Sequence, residues 1–149
     1  MKESPEDKRL ENALRALGLL GGLMGSDARC VSEIVDADHA RLSRLGLTAR
    51  QVAGRMQQIT DLAKAGLGMW VRIDDTLEAK VDEARGWLVC PWPHPGTFVK
   101  RITSVRVIET GASIRWSDLN IHLIGEHGFF EGRGSNFRLE PAELVAIIF

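Results

Sequence analysis

Nothing aromatic precedes Trp70 in this chain of 149 residues. Aromatic rings carry the largest burial per side chain, so the first part offers only aliphatic packing and the main core is expected from the second. Cysteine is also scarce. Cys30 and Cys90 are too few for a disulfide framework, and their unlike surroundings give no reason to pair them, which fits a reducing, cytoplasmic setting. No apolar run reaches the roughly 18 residues that a membrane span needs. The stretch from Ala16 to Met24 is broken by Gly18, Gly21 and Gly22, and it follows Glu3, Glu6, Asp7 and Glu11, where an export signal wants positive charge. Net charge is nearly absent too. Nineteen basic against 20 acidic side chains leave −1, so no field of the whole molecule steers it to nucleic acid or an anionic membrane.

What is present, 44% hydrophobic and 26% charged residues, suits a soluble globular protein with a real core. Composition divides it near Gly66 to Gly68, into a helical section (1–68) and a section of β-hairpins plus helices (69–149). The expected class is α+β: about three helices, then a small antiparallel sheet with one or two C-terminal helices. Ser4 and Pro5 suit a helix start, with Leu10, Leu14 and Leu17 as its apolar stripe. Gly18 and Gly22 beyond it suit either a fraying end or a close helix approach. A second helix is expected from Ser26 or Asp27 to about Arg44, with Val31, Ile34, Val35, Leu42 and Leu45 inward. Thr48 and Gln51 form a capping-box signature for a third, which should run to about Ala65 with Val52, Met56, Ile59 and Ala63 as its buried face.

After Met69 the apolar period falls to two. Met69 to Ile73 and Leu77 to Asp82 read as a hairpin with Leu77, Ala79 and Val81 on one face, and Gly86 to Cys90 as a further short strand. Thr97 to Glu109 is expected to be a strand bulged near Thr103 and Ser104, where its alternation changes phase. It returns through Gly111 into Ser113 to Trp116. Ser117 is a natural N-cap for the next helix and Gly128 its left-handed stop. Glu140 and Pro141 open a last helix whose apolar end, through Phe149, should be buried on its own core or on a partner, either another protein or a second copy.

The chemistry concentrates in two short stretches. Cys90-Pro91-Trp92-Pro93-His94 gives C-x3-H, and His122 to His127 gives H-x4-H, a pairing of local spacings that four-ligand zinc sites use. Pro91, Pro93 and Pro95 stiffen the first stretch in a non-helical shape. A regular helix would set His122 and His127 about 140° apart, so one shared ion asks for a last turn that tightens or unwinds at Gly125. The order of knuckle, hairpin and helix is similar to the general plan of zinc-finger domains, with one cysteine in place of two and a longer spacer. The expected metal ligands are therefore Cys90, His94, His122 and His127, around a structural zinc ion in a binding or interaction module.

Three other readings compete. His122-x-x-x-Glu126-His127 resembles the inverted zinc-protease motif H-x-x-E-H with one residue too many, and a hydrolase would use His94, His122 and His127 as ligands and Glu126 as base. The second and third helices, joined at Leu45-Gly46-Leu47, admit a metal-free helix-turn-helix module that binds nucleic acid or protein. Arg50, Arg55 and Lys64 make a thin phosphate-binding face for it, so the nucleic-acid signal is weak. Asp36, Asp38 and His39 could be read as metal ligands, but the adjacent Asp38 and His39 point about 100° apart on a helix and do not easily share an ion, so the group reads as a solvated polar face. The loop from Gly128 to Arg138 could nest an anion with Arg133 or Arg138, or could be a structural loop plugged by its phenylalanines.

Overall fold

A computed structural model describes residues 4–16 and 22–149 of the chain. Leu17, Gly18 and Gly21 of the glycine-rich stretch lie outside the described residues. The fold is α+β. Helices α1 (Pro5–Ala16), α2 (Val31–Arg44) and α3 (Ala49–Lys64) come first, with a short 3-10 turn, Gly22–Met24, after α1. Strands β1 (Val71–Arg72), β2 (Leu77–Val89), β3 (Thr97–Val107) and β4 (Ser113–Ser117) form one antiparallel sheet in sequence order. Helices α4 (Asp118–His127) and α5 (Pro141–Ile148) follow. Among the described residues no helix is long and apolar enough to cross a membrane.

Helix α3 starts where its sequence signals: Thr48 Oγ1 accepts from Gln51 N at 3.2 Å and Gln51 Oε1 accepts from Thr48 N at 2.9 Å. Its buried face, Val52, Met56, Ile59 and Ala63, packs on α4 and across β2. The main core joins that face to Leu77, Ala79 and Val81 of β2 and to Trp116 of β4. The aliphatic helices are thus part of the principal core, on both sides of the glycine boundary. Buried polar groups inside it are paired with each other: Trp116 Nε1–H donates to Thr60 Oγ1 at 3.0 Å, and the Thr60 and Thr103 hydroxyls meet at 2.6 Å. Without such partners each would carry a desolvation cost of about 1–3 kcal/mol.

Several local expectations are corrected. Helix α2 begins at Val31, not after Asp27, because the Asp27 carboxylate takes the Arg29 guanidinium and the Arg133 amide instead of capping. Leu45 is exposed. The two strands expected at Leu77–Asp82 and Gly86–Cys90 are one strand, interrupted between Glu83 and Trp87, where the register on β3 slips. The irregularity therefore sits in β2, opposite Arg101 and Val99, and not at Thr103 of β3. Thr103 faces inward in phase with Val105, its hydroxyl meeting Thr60, while Phe98 and Ile102 belong to the other face, Phe98 against the second core cluster and Ile102 on a cleft wall, so the phase change marks two apolar faces of one strand. Leu144 and Ile148 of α5 are buried, but Phe149 is 58% exposed.

The segment after α4 is bound to the first part of the chain by close backbone contact. A Cβ on Gly132 would overlap the Met24 carbonyl, and Gly132 N donates to Leu23 O at 2.8 Å. Arg138 donates to both oxygens of Asp38, at 2.6 and 2.9 Å, across a buried ion pair between this segment and α2.

Candidate metal centre

Three local features bring the four side chains together. Cys90 directly follows β2 and is buried in the core cluster that includes Leu119, Leu123 and Phe129. The knuckle that follows turns at once, with His94 N bonded to Trp92 O at 2.8 Å, so His94 returns over the end of the strand. Ser117 caps α4 by accepting from Asn120 N at 3.0 Å, and Gly128 stops it in the left-handed conformation, φ 63°. Leu119 and Leu123 seat the inner face of α4 on the core, and this fixes where His122 and His127 emerge.

The donor atoms converge. His94 Nε2 lies 3.1 Å from His122 Nε2 and 3.2 Å from His127 Nε2, and Cys90 Sγ is 3.4 Å from His127 Nε2. All four donor atoms lie within 4.8 Å of one another. A tetrahedral ion with Zn–N near 2.05 Å and Zn–S near 2.3 Å needs edges of about 3.3 Å between nitrogens and about 3.6 Å from sulfur to nitrogen. The three measured edges are close to those lengths. The group can hold a metal ion, and among the described residues it is the one cluster of His, Cys, Asp or Glu side chains that can.

Helix α4 is regular through His127, so the expected unwinding at Gly125 does not occur. Side chains on a helix lean toward its N-terminus, which tips the His127 ring back over the preceding turn and toward His122. Their ring centroids are 5.1 Å apart.

The surroundings favour neutral imidazoles at His122 and His127. His94 Nδ1 donates to the Pro95 carbonyl, 3.0 Å away, since that oxygen can only accept, and this turns its Nε2 toward the other two rings. Trp92 stacks on His127 at 4.1 Å and 9°, and Phe98 leans on His122 at 4.5 Å. Desolvation lowers His127 to about 4, with the other two imidazoles adding to the effect, and lowers His122 as well. Burial also pushes the Cys90 thiol up. A bound cation would reverse that last effect, since a coordinating thiol is deprotonated outright.

The remaining sequence candidates lie elsewhere. Glu126 turns to Arg50, 3.9 Å away, and its side chain is 56% exposed. Asp38 is taken by Arg138, while Asp36 and His39 are exposed. Each basic residue proposed for a recognition helix is engaged: Arg50 with Glu126, Arg55 with Asp74 at 2.9 Å, and Lys64 with Asp61 at 3.1 Å. Arg138 of the glycine-rich loop is occupied by Asp38 and Glu140.

Sequence reasoning missed Glu131. It is 3% exposed and adopts φ 68°, a conformation uncommon outside glycine. Its place between Phe130 and Gly132 made it look like an ordinary loop acid. No family model, no curated protein and no solved structure matches this chain.

Proposed function

We propose that this protein holds one zinc ion as a structural staple and works as a binding or interaction module, not as an enzyme. The observation that carries the reading is the donor set, one sulfur and three imidazoles all within 4.8 Å of one another, with the three shortest contacts near tetrahedral edge lengths. Mixed thiolate and imidazole donors suit zinc, and four protein ligands leave no coordination position for water. The ion would tie the end of β2 and its knuckle to the last turns of α4. A hydrolytic site would instead need the Cys90 corner given to water with Glu126 beside it, whereas Glu126 reaches for Arg50 on the surface.

Elemental analysis of the purified protein, with and without Cys90→Ser, tests this. One zinc per chain is expected for the wild type and less for the variant. A ligand at 100 times its dissociation constant stabilises by about 2.7 kcal/mol, so a chelator should lower Tm by roughly 5–10 °C. Metal-free wild type with an unmoved Tm would sink the proposal and leave a metal-free module. Zinc kept by Cys90→Ser together with gained hydrolysis of an activated ester would favour the enzyme.

A further inference from the structure

Beside the interruption in β2 lies a cleft of about 620 Å³, between the strand, the 3-10 turn and the segment after α4. That volume is in the range of small-molecule sites. Its walls are mostly apolar. Trp87 and Val89, which line it, are 66% and 54% exposed, so apolar surface on this side is left facing water. Leu88, Ile102, Leu119 and Phe137 continue the lining inward.

Among the charged residues on the wall, Glu131 alone is buried. Asn120 Nδ2 donates to its Oε2 at 2.6 Å and Ser135 Oγ to its Oε1 at 2.9 Å, so two neutral groups hold it and each oxygen keeps a lone pair. Among the described residues no cation pairs with its carboxylate. The Arg138 guanidinium bonds the Glu131 backbone carbonyl at 2.8 Å and has its charge met by Asp38 and Glu140. Burial raises the Glu131 carboxyl to about 7 against those two hydrogen bonds, as expected for a carboxylate short of a counter-charge. At the exposed rim Asp82 faces Lys80 at 3.7 Å and Glu83 faces Arg101 at 2.9 Å, while Lys100 is exposed to solvent, so the rim favours neither sign strongly.

We infer that this cleft binds a small cationic amphiphile, a primary amine on an apolar body, with the body against Trp87 and Leu119 and the ammonium on Glu131. An ammonium has three donors and no acceptor, which matches the free lone pairs and supplies the missing charge. A carboxylate of the same length would bring a second negative charge to the buried one, and an alcohol would bring none.

Calorimetric titration of the purified metal-loaded protein at pH 8 with octylamine, octanoate and octanol tests the inference. Octylamine should bind at least tenfold more tightly than octanoate, with octanol between them. Glu131→Gln keeps the shape and the Asn120 contact, and it should abolish the preference for the amine while leaving octanol affinity within about twofold. Trp87→Ala, at an exposed position, should weaken all three ligands several-fold. Equal or tighter binding of octanoate, no binding of any of the three, or an amine preference that survives Glu131→Gln would each overturn it.

Discussion

Replacing Asp38 by alanine should be among the most damaging single changes distant from the metal centre. Arg138 and Asp38 are 8% and 7% exposed, and two hydrogen bonds of 2.6 and 2.9 Å join them. Removing the carboxylate leaves a guanidinium buried with the Glu131 carbonyl at 2.8 Å and with Glu140, whose side chain is 48% exposed and more distant at 3.2 Å. Breaking a buried pair on one side costs about 3–5 kcal/mol, and the two surviving partners place this case near 3 kcal/mol. For a chain of this length that is a fall in Tm of roughly 6–12 °C. Glu140→Ala is the internal control, since a half-exposed pair is worth about 0–1 kcal/mol. Urea unfolding followed by tryptophan fluorescence would report both, with the double variant Asp38→Ala, Arg138→Met recovering part of the loss because no unpaired charge is left behind. If Asp38→Ala fell within about 0.5 kcal/mol of wild type, the guanidinium would have to be solvated in solution and the buried pair would not exist as described.

Glu131 gives stability a particular pH dependence. Its carboxyl is raised from 4.5 to about 7, so between those values the folded protein binds more protons there than the unfolded chain, and this contribution is present below pH 4.5 and lost as pH rises through 7. The loss is at most about 3 kcal/mol, and the difference in unfolding free energy between wild type and Glu131→Gln, measured at pH 5 and pH 7.5, should shrink or reverse against the wild type at the higher pH. A difference independent of pH would show that Glu131 titrates normally. Two glycines should respond in opposite directions in thermal melts. Gly54 lies inside α3 with nothing within 4 Å of a built Cβ, so Gly54→Ala should stabilise by about 0.5–1 kcal/mol. Gly132→Ala would drive a methyl group into the Met24 backbone and should cost about 3 kcal/mol, and a neutral result would mean that the loop does not dock there.

What the sequence made legible follows from how local each signal is. The capping box at Thr48 and the N-cap at Ser117 are read from a few adjacent residues, and both are present in the structure. The spacings C-x3-H and H-x4-H are local as well, which is why all four cluster residues could be named before their distances were known. Their convergence is not local. It depends on β2 resuming after its register shift and running on to Val89, and the sequence concealed this because Ala84, Arg85 and Gly86 interrupt the alternation there. Thr103 was misread for a related reason: a hydroxyl suits a core position when a hydrogen-bond partner meets it there, and its partner Thr60 lies far away in the sequence. The Asp38 and Arg138 pair was hidden likewise, since a charged residue on an amphipathic helix reads as solvated until its partner is located.

The two long-range attachments of the second half act on opposite sides of the same cleft. Cys90 and His94, meeting His122 and His127, hold the end of β2, so Leu88 and Val89 form a wall beside the metal centre. On the other side Arg138 on Asp38 and the Gly132 contact with Leu23 hold the segment carrying Glu131 and Phe137. A buried carboxylate in a left-handed backbone conformation costs free energy twice, once in desolvation and once in strain, and persists only where neighbours over-determine it. Here the neighbours are held by a buried ion pair, which cannot slide by small steps, and, on the proposed reading, by zinc at the cluster of Cys90, His94, His122 and His127. A cleft walled by attachments of this kind is formed before a ligand arrives, and binding in it avoids much of the ordering cost that a floppy site would bear.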